Sequence, residues 1–365
     1  MKWAWWFAAV LVLNGCTSTS PTKPQAIDLI LQPPGETDPE GLVESALFEL
    51  LDDAGFAGVA AFSSEPRRKN LVHVDDGAFV ARGQPDRPWP WASVTKQVVA
   101  VLMMQQVEAG TLTLDSPVSD WIALDGAASP TIRQLLQHGS GLRNPDDSPV
   151  DANGVPDFYS TGPSGVEWCL AGRSAPPAGG WSYNNCDYIV LGAVLKSVTG
   201  RPISALFGER LRAAGVQGPM LATRRPRSLA RSGAEFPFDI SRYGASAGIL
   251  GSVNDILAFD RALLDGRFLS PEARTEMWDS DPALGYMALG QWVYEVPLSG
   301  CDGVVRIVER RGAIGGYQLR NFILPEMDMA LVIAVKDESF DFGDLWQQQG
   351  RSFDILSAAA CGDAT

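Results

Sequence analysis

Trp91-Ala92-Ser93-Val94-Thr95-Lys96 is the stretch on which the interpretation of this 365-residue chain depends. The apolar spacing around it predicts a helix that begins near Ser93 and runs to Glu108, with Val94, Val98, Val101 and Leu102 on its apolar face. Positions three apart share a helix face, so the Lys96 amine can reach the Ser93 hydroxyl. A serine hydroxyl needs an adjacent base to act as a nucleophile, and a buried lysine beside another cation can lose its proton near neutral pH. The pair therefore predicts a nucleophile with its own base, the alternative being a helix-capping serine with a surface lysine.

Two later segments carry side chains that suit the same chemistry. Tyr183-Asn184-Asn185 precedes a predicted helix; a tyrosine can shuttle a proton if cations lower its pKa, and an asparagine amide can hold a substrate carbonyl. Arg310-Arg311-Gly312-Ala313 lies at a predicted strand end, where glycine lets a substrate lie against the backbone. Alone, each segment has a plainer interpretation: a turn that starts a helix, and a hairpin between two strands.

The predicted elements around these segments run in the order strand, helix, strand. Before Ser93 we predict a helix at 42–51 and strands at 56–62 and 71–74. Between 115 and 260 we predict short helices and long loops, with clear helices at 131–137, 187–199 and 254–264. After that we predict strands at 291–296, 304–309, 317–324 and 329–335 and a last helix at 345–359. Strands from both chain ends must join one sheet, so the predicted fold class is α/β, an antiparallel sheet flanked by helices with an inserted helical region.

In this order, the motifs resemble those of the β-lactamase-related serine hydrolases, a group that includes class C β-lactamases, D-alanyl-D-alanine carboxypeptidases and β-lactamase-fold esterases. The Ser93 segment is similar to the group's Ala-Ser-x-x-Lys, and Leu135-Leu136-Gln137-His138-Gly139-Ser140-Gly141-Leu142 to its Leu-Leu-x-His-x-Ser-Gly-Leu. Residues 178–200 resemble the block around its Tyr-x-Asn, and Ala247-Gly248-Ile249-Leu250-Gly251-Ser252 resembles its Gly-Gly-Leu-x-Ser segment. The resemblance covers about residues 45–358.

The resemblance implies an acyl-enzyme mechanism that needs no cofactor. Ser93 would attack a carbonyl, Lys96 would take the hydroxyl proton, and Tyr183 would protonate the leaving group and later activate water. Asn185 would hold the acyl side chain, and the backbone N–H groups of Ser93 and Ala313 would form the oxyanion hole. The substrate would be a small molecule or peptidoglycan-derived: a β-lactam, a D-Ala peptide, a small ester or a D-amino-acid amide. The alternative is a catalytically impaired protein of this fold that binds cell-wall peptide.

The third motif departs from the group's usual Lys-Thr-Gly or His-x-Gly. Arg310 falls where Lys or His is usual, and Arg311 falls at the next position. Arginine stays charged, so Arg310 cannot relay a proton, but it can lower the pKa of Tyr183 and bind a carboxylate. We therefore expect substrate binding by Arg310, Arg311, Gly312 and Ala313, with a preference for a free carboxylate near the scissile bond. The alternative is that the arginines face solvent or pair with acids such as Glu309.

Other candidate sites in the sequence are weaker. Gly244-Ala245-Ser246-Ala247-Gly248 fits a Gly-x-Ser-x-Gly nucleophile elbow, but both histidines, His73 and His138, come before its serine. We expect a glycine-rich turn there and a structural His138. No His or Cys spacing suggests a metal site.

Charge and cysteine content limit the partners and the compartment. The net charge of −14 argues against nucleic acid, which needs clustered Lys and Arg, and no feature points to a protein partner. Besides Cys16, the chain has Cys169, Cys186, Cys301 and Cys361, which permit two disulfides in any of three connectivities. Proximity favours Cys169–Cys186 and leaves Cys301–Cys361, with buried free thiols as the alternative.

The first forty residues suggest export. Lys2, an apolar run at 3–13 and Leu13-Asn14-Gly15-Cys16 resemble a bacterial lipoprotein signal, in which the cysteine is acylated. Residues 17–40 are rich in Ser, Thr and Pro, as in a flexible tether. We expect a signal peptide at 1–15, a tether at 16–40 and a hydrolase domain at 41–361. The expected location is the bacterial cell envelope, lipid-anchored in the outer membrane and facing the periplasm, with an ordinary signal peptide as the alternative.

Overall fold

Strands from the two ends of the domain meet in one six-stranded antiparallel sheet. Its strands are β1 (Gly58–Ser63), β2 (Asn70–Val74), β6 (Trp292–Val296), β7 (Val305–Ile314), β8 (Tyr317–Leu324) and β9 (Met329–Val335). Their order across the sheet is β2-β1-β9-β8-β7-β6, so β1 pairs directly with β9. The expected fold, an antiparallel sheet assembled from both sides of a helical insertion, is confirmed.

This computed structural model describes residues 58–63, 70–74, 88–124, 129–152, 154–171, 180–224 and 239–361. All of them belong to one compact unit, 39–365. The predicted signal peptide, the tether and the helix at 42–51 lie outside the described residues.

Helices and a small second sheet occupy the insertion and the C-terminus. The helices are α1 (Thr95–Glu108), α2 (Ile132–Leu136), α3 (Val166–Leu170), α4 (Cys186–Thr199), α5 (Ile203–Ala213), α6 (Val253–Leu264), α7 (Pro271–Met277) and α8 (Arg351–Cys361). The small sheet has the order β3 (Trp89–Pro90), β5 (Ile249–Gly251), β4 (Met220–Leu221).

The main sheet is buried on both faces. Every residue of β9 is buried, and successive side chains point to opposite sides, as strand geometry requires. Ala330, Val332 and Ala334 join the core shared with α1, α4 and α6, whereas Leu331 and Ile333 join a second core that packs against α8. This two-sided burial explains why β9 is an uninterrupted apolar run.

Helix α1 is more deeply enclosed than its apolar pattern predicted. The predicted face (Val94, Val98, Val101 and Leu102) is buried, but Gln97, Val99, Met103 and Met104 on the other sides are buried too. The prediction of a single apolar face was therefore incomplete, because neighbouring elements cover α1 on almost every side.

Two predicted boundaries in the C-terminal part were wrong. Strand β7 does not end at Glu309 but continues to Ile314, where Gly315 and Gly316 (φ 55° and 81°) form a two-residue hairpin to β8. The single helix predicted at 345–359 is a 3₁₀ turn at 345–347 followed by α8. The break comes at Gln348 and Gly350, whose positive φ angles a continuing helix cannot adopt.

Two disulfides lie on opposite sides of the main sheet. Cys169 on α3 is bonded to Cys186 at the start of α4, and Cys301 is bonded to Cys361 at the end of α8. Within the described ranges, no single helix is long and apolar enough to cross a membrane. Helices α4 and α5 reach that length only together, with an 81° bend between them.

Candidate active site

Ser93 lies in a tight turn between β3 and α1. A 3₁₀ turn spans Ala92–Val94, and the preceding Ala92 has φ +46°, a left-handed conformation that costs a non-glycine residue about 1–2 kcal/mol. The Trp91 N–H donates to the Ile249 carbonyl of β5 (2.9 Å), which holds the turn in place. A Cβ on Gly312 of β7 would lie 2.7 Å from the Trp91 carbonyl oxygen, so only glycine lets β7 pass this close to the turn.

Lys96 lies one helical turn after Ser93 and is completely buried. Its Nζ donates to Ser93 Oγ (3.0 Å), Asn185 Oδ1 (2.7 Å) and the Ser246 carbonyl oxygen (2.9 Å). The helix therefore brings Ser93 and Lys96 together as their spacing predicted.

Tyr183 approaches Ser93 from the helical region. Its Oη is 2.6 Å from Ser93 Oγ. Arg310, which is also fully buried, donates from Nη2 to Tyr183 Oη (3.1 Å) and from Nε to the Ser93 carbonyl oxygen (3.0 Å). Ser93 Oγ thus has an amine and a phenol as neighbours, and a guanidinium lies behind the phenol.

The buried charges around Ser93 lower the pKa values of both Lys96 and Tyr183. Burial, assisted by the Arg310 cation, lowers the pKa of Lys96 to about 8, although Tyr183 and Asp146 oppose this shift. Burial alone would raise the pKa of Tyr183, but the charges of Lys96 and Arg310 outweigh it and lower that pKa. Arg310 therefore acts on both groups in the same direction.

A buried histidine–aspartate pair packs behind Tyr183. The His138 ring lies 4.5 Å from the Tyr183 ring, and its Nδ1 lies 3.1 Å from Asp187 Oδ2. Burial and the nearby cations hold the pKa of His138 well below its usual value, while burial raises that of Asp187 well above its own. The enclosed His138 ring fits the structural role expected of this residue.

Asn185 connects Lys96 to a group of side chains that sequence reasoning missed. Its Oδ1 accepts from Lys96, and its Nδ2 donates to Tyr159 Oη (2.8 Å) and to both carboxylate oxygens of Asp146 (3.3 Å each). Tyr159 Oη in turn donates to Asp146 Oδ1 (2.9 Å). Asp146 and Tyr159 lie in a loop region 26–39 residues before Asn185, where no sequence pattern links them to Tyr183.

The structure corrects the expectation that Arg311 lines the substrate site. Arg310 faces Ser93, and because neighbouring strand residues point to opposite faces, Arg311 points toward the α8 side of the sheet. There it forms an ion pair with the buried Glu309 (Nε–Oε1 2.6 Å), which also accepts from Tyr294 Oη (2.6 Å). Pairing with Glu309 was the alternative that the sequence left open for Arg311.

Among the described strands, only β8 pairs with β7 at Ala313. Strand β6 pairs with β7 only up to Glu309, so no described strand covers the other edge of β7 beyond that point. Ile314 and Tyr317 form the closing pair of the two-residue hairpin, so the Ile314 N–H points toward β8. Successive N–H groups along a strand point to opposite edges, so the Ala313 N–H points away from β8.

Ser246, the serine of the Gly-x-Ser-x-Gly segment, is not accessible to a substrate. Ser246 is fully buried, and its Oγ donates to the Tyr243 carbonyl (2.7 Å) while its own carbonyl accepts from Lys96. Among the described residues, no group of three or more His, Cys, Asp or Glu side chains could hold a metal ion.

The chain is similar to known proteins over most of its length. The family model described as Beta-lactamase matches residues 43–350. The D-alanyl-D-alanine-carboxypeptidase/endopeptidase AmpH of Escherichia coli (strain K12) is 24% identical over 367 residues, which cover 92% of this chain and 91% of that protein.

Two further similarities are partial or structural. Esterase EstB of Burkholderia gladioli is 35% identical over 130 residues, covering 31% of this chain and about a third (33%) of the esterase. The crystal structure of D-amino acid amidase from Ochrobactrum anthropi SV3, complexed with D-phenylalanine, matches with a TM-score of 0.69 and 22% identity. It covers 87% of this chain and 98% of that one, and the likeness shows the fold.

Proposed function

Because this chain belongs to the β-lactamase family and is a serine hydrolase of amide or ester carbonyls, we propose that Ser93 is the nucleophile that forms its acyl-enzyme. One observation carries this proposal: Ser93 Oγ lies within hydrogen-bond distance of both Lys96 Nζ (3.0 Å) and Tyr183 Oη (2.6 Å). The intact network and the hydrolase relatives argue against the alternative of an impaired cell-wall binder.

The acylation step uses the two basic groups in turn. Ser93 Oγ bonds to the carbonyl carbon while its proton passes to neutral Lys96, and the carbonyl π electrons move to oxygen. When the tetrahedral intermediate collapses, the bond to the leaving nitrogen or oxygen breaks, and that atom takes a proton from Tyr183. Acylation thus leaves Lys96 protonated and Tyr183 deprotonated, and Lys96 later supplies the proton that Ser93 Oγ takes up in deacylation.

Deacylation repeats this chemistry with water. Tyr183, held as a base by Lys96 and Arg310, takes a proton from the attacking water, and Ser93 Oγ leaves and is reprotonated. The N–H groups of Ser93 and Ala313 would hold the oxyanion, which the uncovered edge of β7 supports. Asn185 keeps Lys96 in place through the 2.7 Å contact and would border the acyl group.

The relatives suggest which substrates to test. They are named for D-Ala-D-Ala carboxypeptidase, esterase and D-amino acid amidase activities. The substrate we propose therefore belongs to the β-lactams, D-Ala peptides, small esters or D-amino-acid amides.

The test compares kcat/KM on short esters and β-lactams between wild type and three variants, Ser93→Ala, Lys96→Ala and Tyr183→Phe. We expect Ser93→Ala to lose about 10³-fold or more and the other two about 10²-fold or more, because nucleophile and proton-transfer groups act as one unit. Ser197→Ala, which changes an exposed serine on α4, is the control and should retain wild-type activity. Activity that survives in Ser93→Ala would contradict the proposed nucleophile.

We also propose that Cys16 carries a lipid anchor in the outer membrane. The support is the lipobox-like Leu13-Asn14-Gly15-Cys16 followed by the Ser/Thr/Pro-rich stretch. Such an anchor would hold the hydrolase domain in the periplasm, where D-Ala peptides are found.

A further inference from the structure

The two arginines expected to attract a substrate carboxylate are committed to other partners. Arg310 is fully buried, and its Nε and Nη2 are bonded to the Ser93 carbonyl and to Tyr183. Arg311 faces the opposite side of the sheet and is paired with Glu309. Arg310 Nη1 has no hydrogen-bond partner but is buried, so neither arginine presents an exposed guanidinium to a substrate at Ser93.

The exposed charge that connects to the Ser93 network is negative. Asp146 lies in the 3₁₀ turn Pro145–Asp147 and is exposed, and its carboxylate accepts from Tyr159 Oη and Asn185 Nδ2. Asn185 contacts Lys96, and Lys96 contacts Ser93 Oγ. The carboxylate is thus separated from the nucleophile by two hydrogen-bonded side chains.

Two stacked tyrosine rings lie beside this carboxylate, and one of them donates to it. The rings of Tyr159 and Tyr243 are stacked with centroids 3.6 Å apart and planes 3° apart. Tyr159 is buried, and burial together with Asp146 raises its pKa, so its hydroxyl stays a donor. Asn144 Nδ2 is a third donor to this carboxylate (3.3 Å to Oδ2), and the exposed side of Asp146 remains accessible to a further donor from a substrate.

We propose that Asp146 binds a protonated amino group on the acyl side of the scissile bond, as in α-amino-acid amides, amino-acid esters and short peptides with a free N-terminus. The inference rests on the proposed function and names its substrate class. The acyl side is favoured because Asp146 is bonded to Asn185, the residue that borders the acyl group in the proposed mechanism. The sequence predicted a preference for a carboxylate because of Arg310 and Arg311, whereas Asp146 would give a preference for a positively charged group.

The test uses three ester or anilide substrates that share one leaving group: D-alanyl, N-acetyl-D-alanyl and propionyl. At pH 7 the free α-amino group, with a pKa of roughly 7.7–8.0, is mostly protonated. We expect wild type to prefer the D-alanyl over the propionyl substrate about ten- to a hundredfold in kcat/KM, as for a charge-assisted hydrogen bond. The N-acetyl substrate, which carries no charge, should lose this preference.

Two variants assign the preference to one carboxylate. Asp146→Asn should lower kcat/KM for the D-alanyl substrate about ten- to a hundredfold. The loss on the propionyl substrate should be much smaller, because one oxygen remains to accept from Tyr159 Oη and Asn185 Nδ2. Asp147→Asn removes the neighbouring exposed carboxylate and should change neither.

The possible failures are distinguishable. Equal rates on D-alanyl and propionyl substrates in wild type, or equal losses on both in Asp146→Asn, would overturn the inference while Ser93-dependent hydrolysis still stood. If no substrate were hydrolysed and Ser93 acquired no acyl group, the proposed function itself would fail.

Discussion

At the scale of single residues, Arg310 supplies a permanent positive charge to the site. It lies in a fully buried position, contacts Tyr183, and lowers the pKa of both Lys96 and Tyr183. A lysine or histidine at this position could exchange protons, whereas a guanidinium supplies a constant charge at every working pH. Arg310 is therefore suited to set the pKa values of its neighbours.

This role predicts a shifted pH profile in Arg310→Gln. Wild-type kcat/KM on a neutral ester should rise as pH passes through about 8, because neutral Lys96 is the base and its pKa is about 8. Without the guanidinium, the pKa values of Lys96 and Tyr183 should both increase, and the rising limb should move upward by about one pH unit. The measurement is kcat/KM from pH 5.5 to about 10 on the propionyl ester.

Arg306→Gln provides the control, because Arg306 lies on the same strand but bonds to the Trp278 carbonyl at the far end of β7. Its profile should match wild type. A rising limb that stays in place in Arg310→Gln would show that Arg310 does not set the working pKa.

At the scale of secondary-structure elements, the sequence predicted what periodicity and local spacing encode. Strands β8 and β9 match their predicted bounds, and the 3₁₀ turn that leads into α1 places Ser93 Oγ 3.0 Å from Lys96 Nζ. The strand was predicted to end at Glu309, so the alternation of side chains along a strand was not applied to the residues after it. For this reason the sequence did not predict which face of the sheet Arg311 lies on. Asp146 was missed because its contact with Asn185 joins distant loop segments through tertiary packing alone.

The disulfide Cys169–Cys186 should support the active site as well as the fold. It holds the first residue of α4, which follows Asn185 directly. We expect Cys169→Ala/Cys186→Ala to lower the free energy of unfolding by about 3 kcal/mol, the usual effect of opening a loop of this size. It should also lower kcat/KM severalfold, since Asn185 and Tyr183 lose their anchor.

The second disulfide is the matched control for that experiment. Cys301–Cys361 ties α8 to the sheet face away from Ser93. Its double alanine variant should lose stability, as measured by urea unfolding, but keep kcat/KM within about twofold at a temperature where it stays folded. Similar losses of kcat/KM in both variants would argue against a specific effect of the first disulfide.

At the scale of the whole molecule, the proposed lipid anchor at Cys16 can be tested in cells. In a Gram-negative host, the wild-type chain should fractionate with the outer membrane, and Cys16→Ser should move it to a soluble fraction, since the acylated Cys16 is the proposed membrane contact. Cys301→Ser controls for the loss of a cysteine elsewhere. An unchanged distribution in Cys16→Ser would contradict the proposed lipid attachment.

Ser93 acylation is the central claim, and intact-protein mass spectrometry tests it most directly. Wild type exposed to a fluorophosphonate or a slowly hydrolysed β-lactam should gain the mass of one adduct, and peptide mapping should place it on Ser93. Ser93→Ala should gain none, while Ser197→Ala should label like wild type. An adduct that persists in Ser93→Ala, or that maps to another residue, would contradict the account.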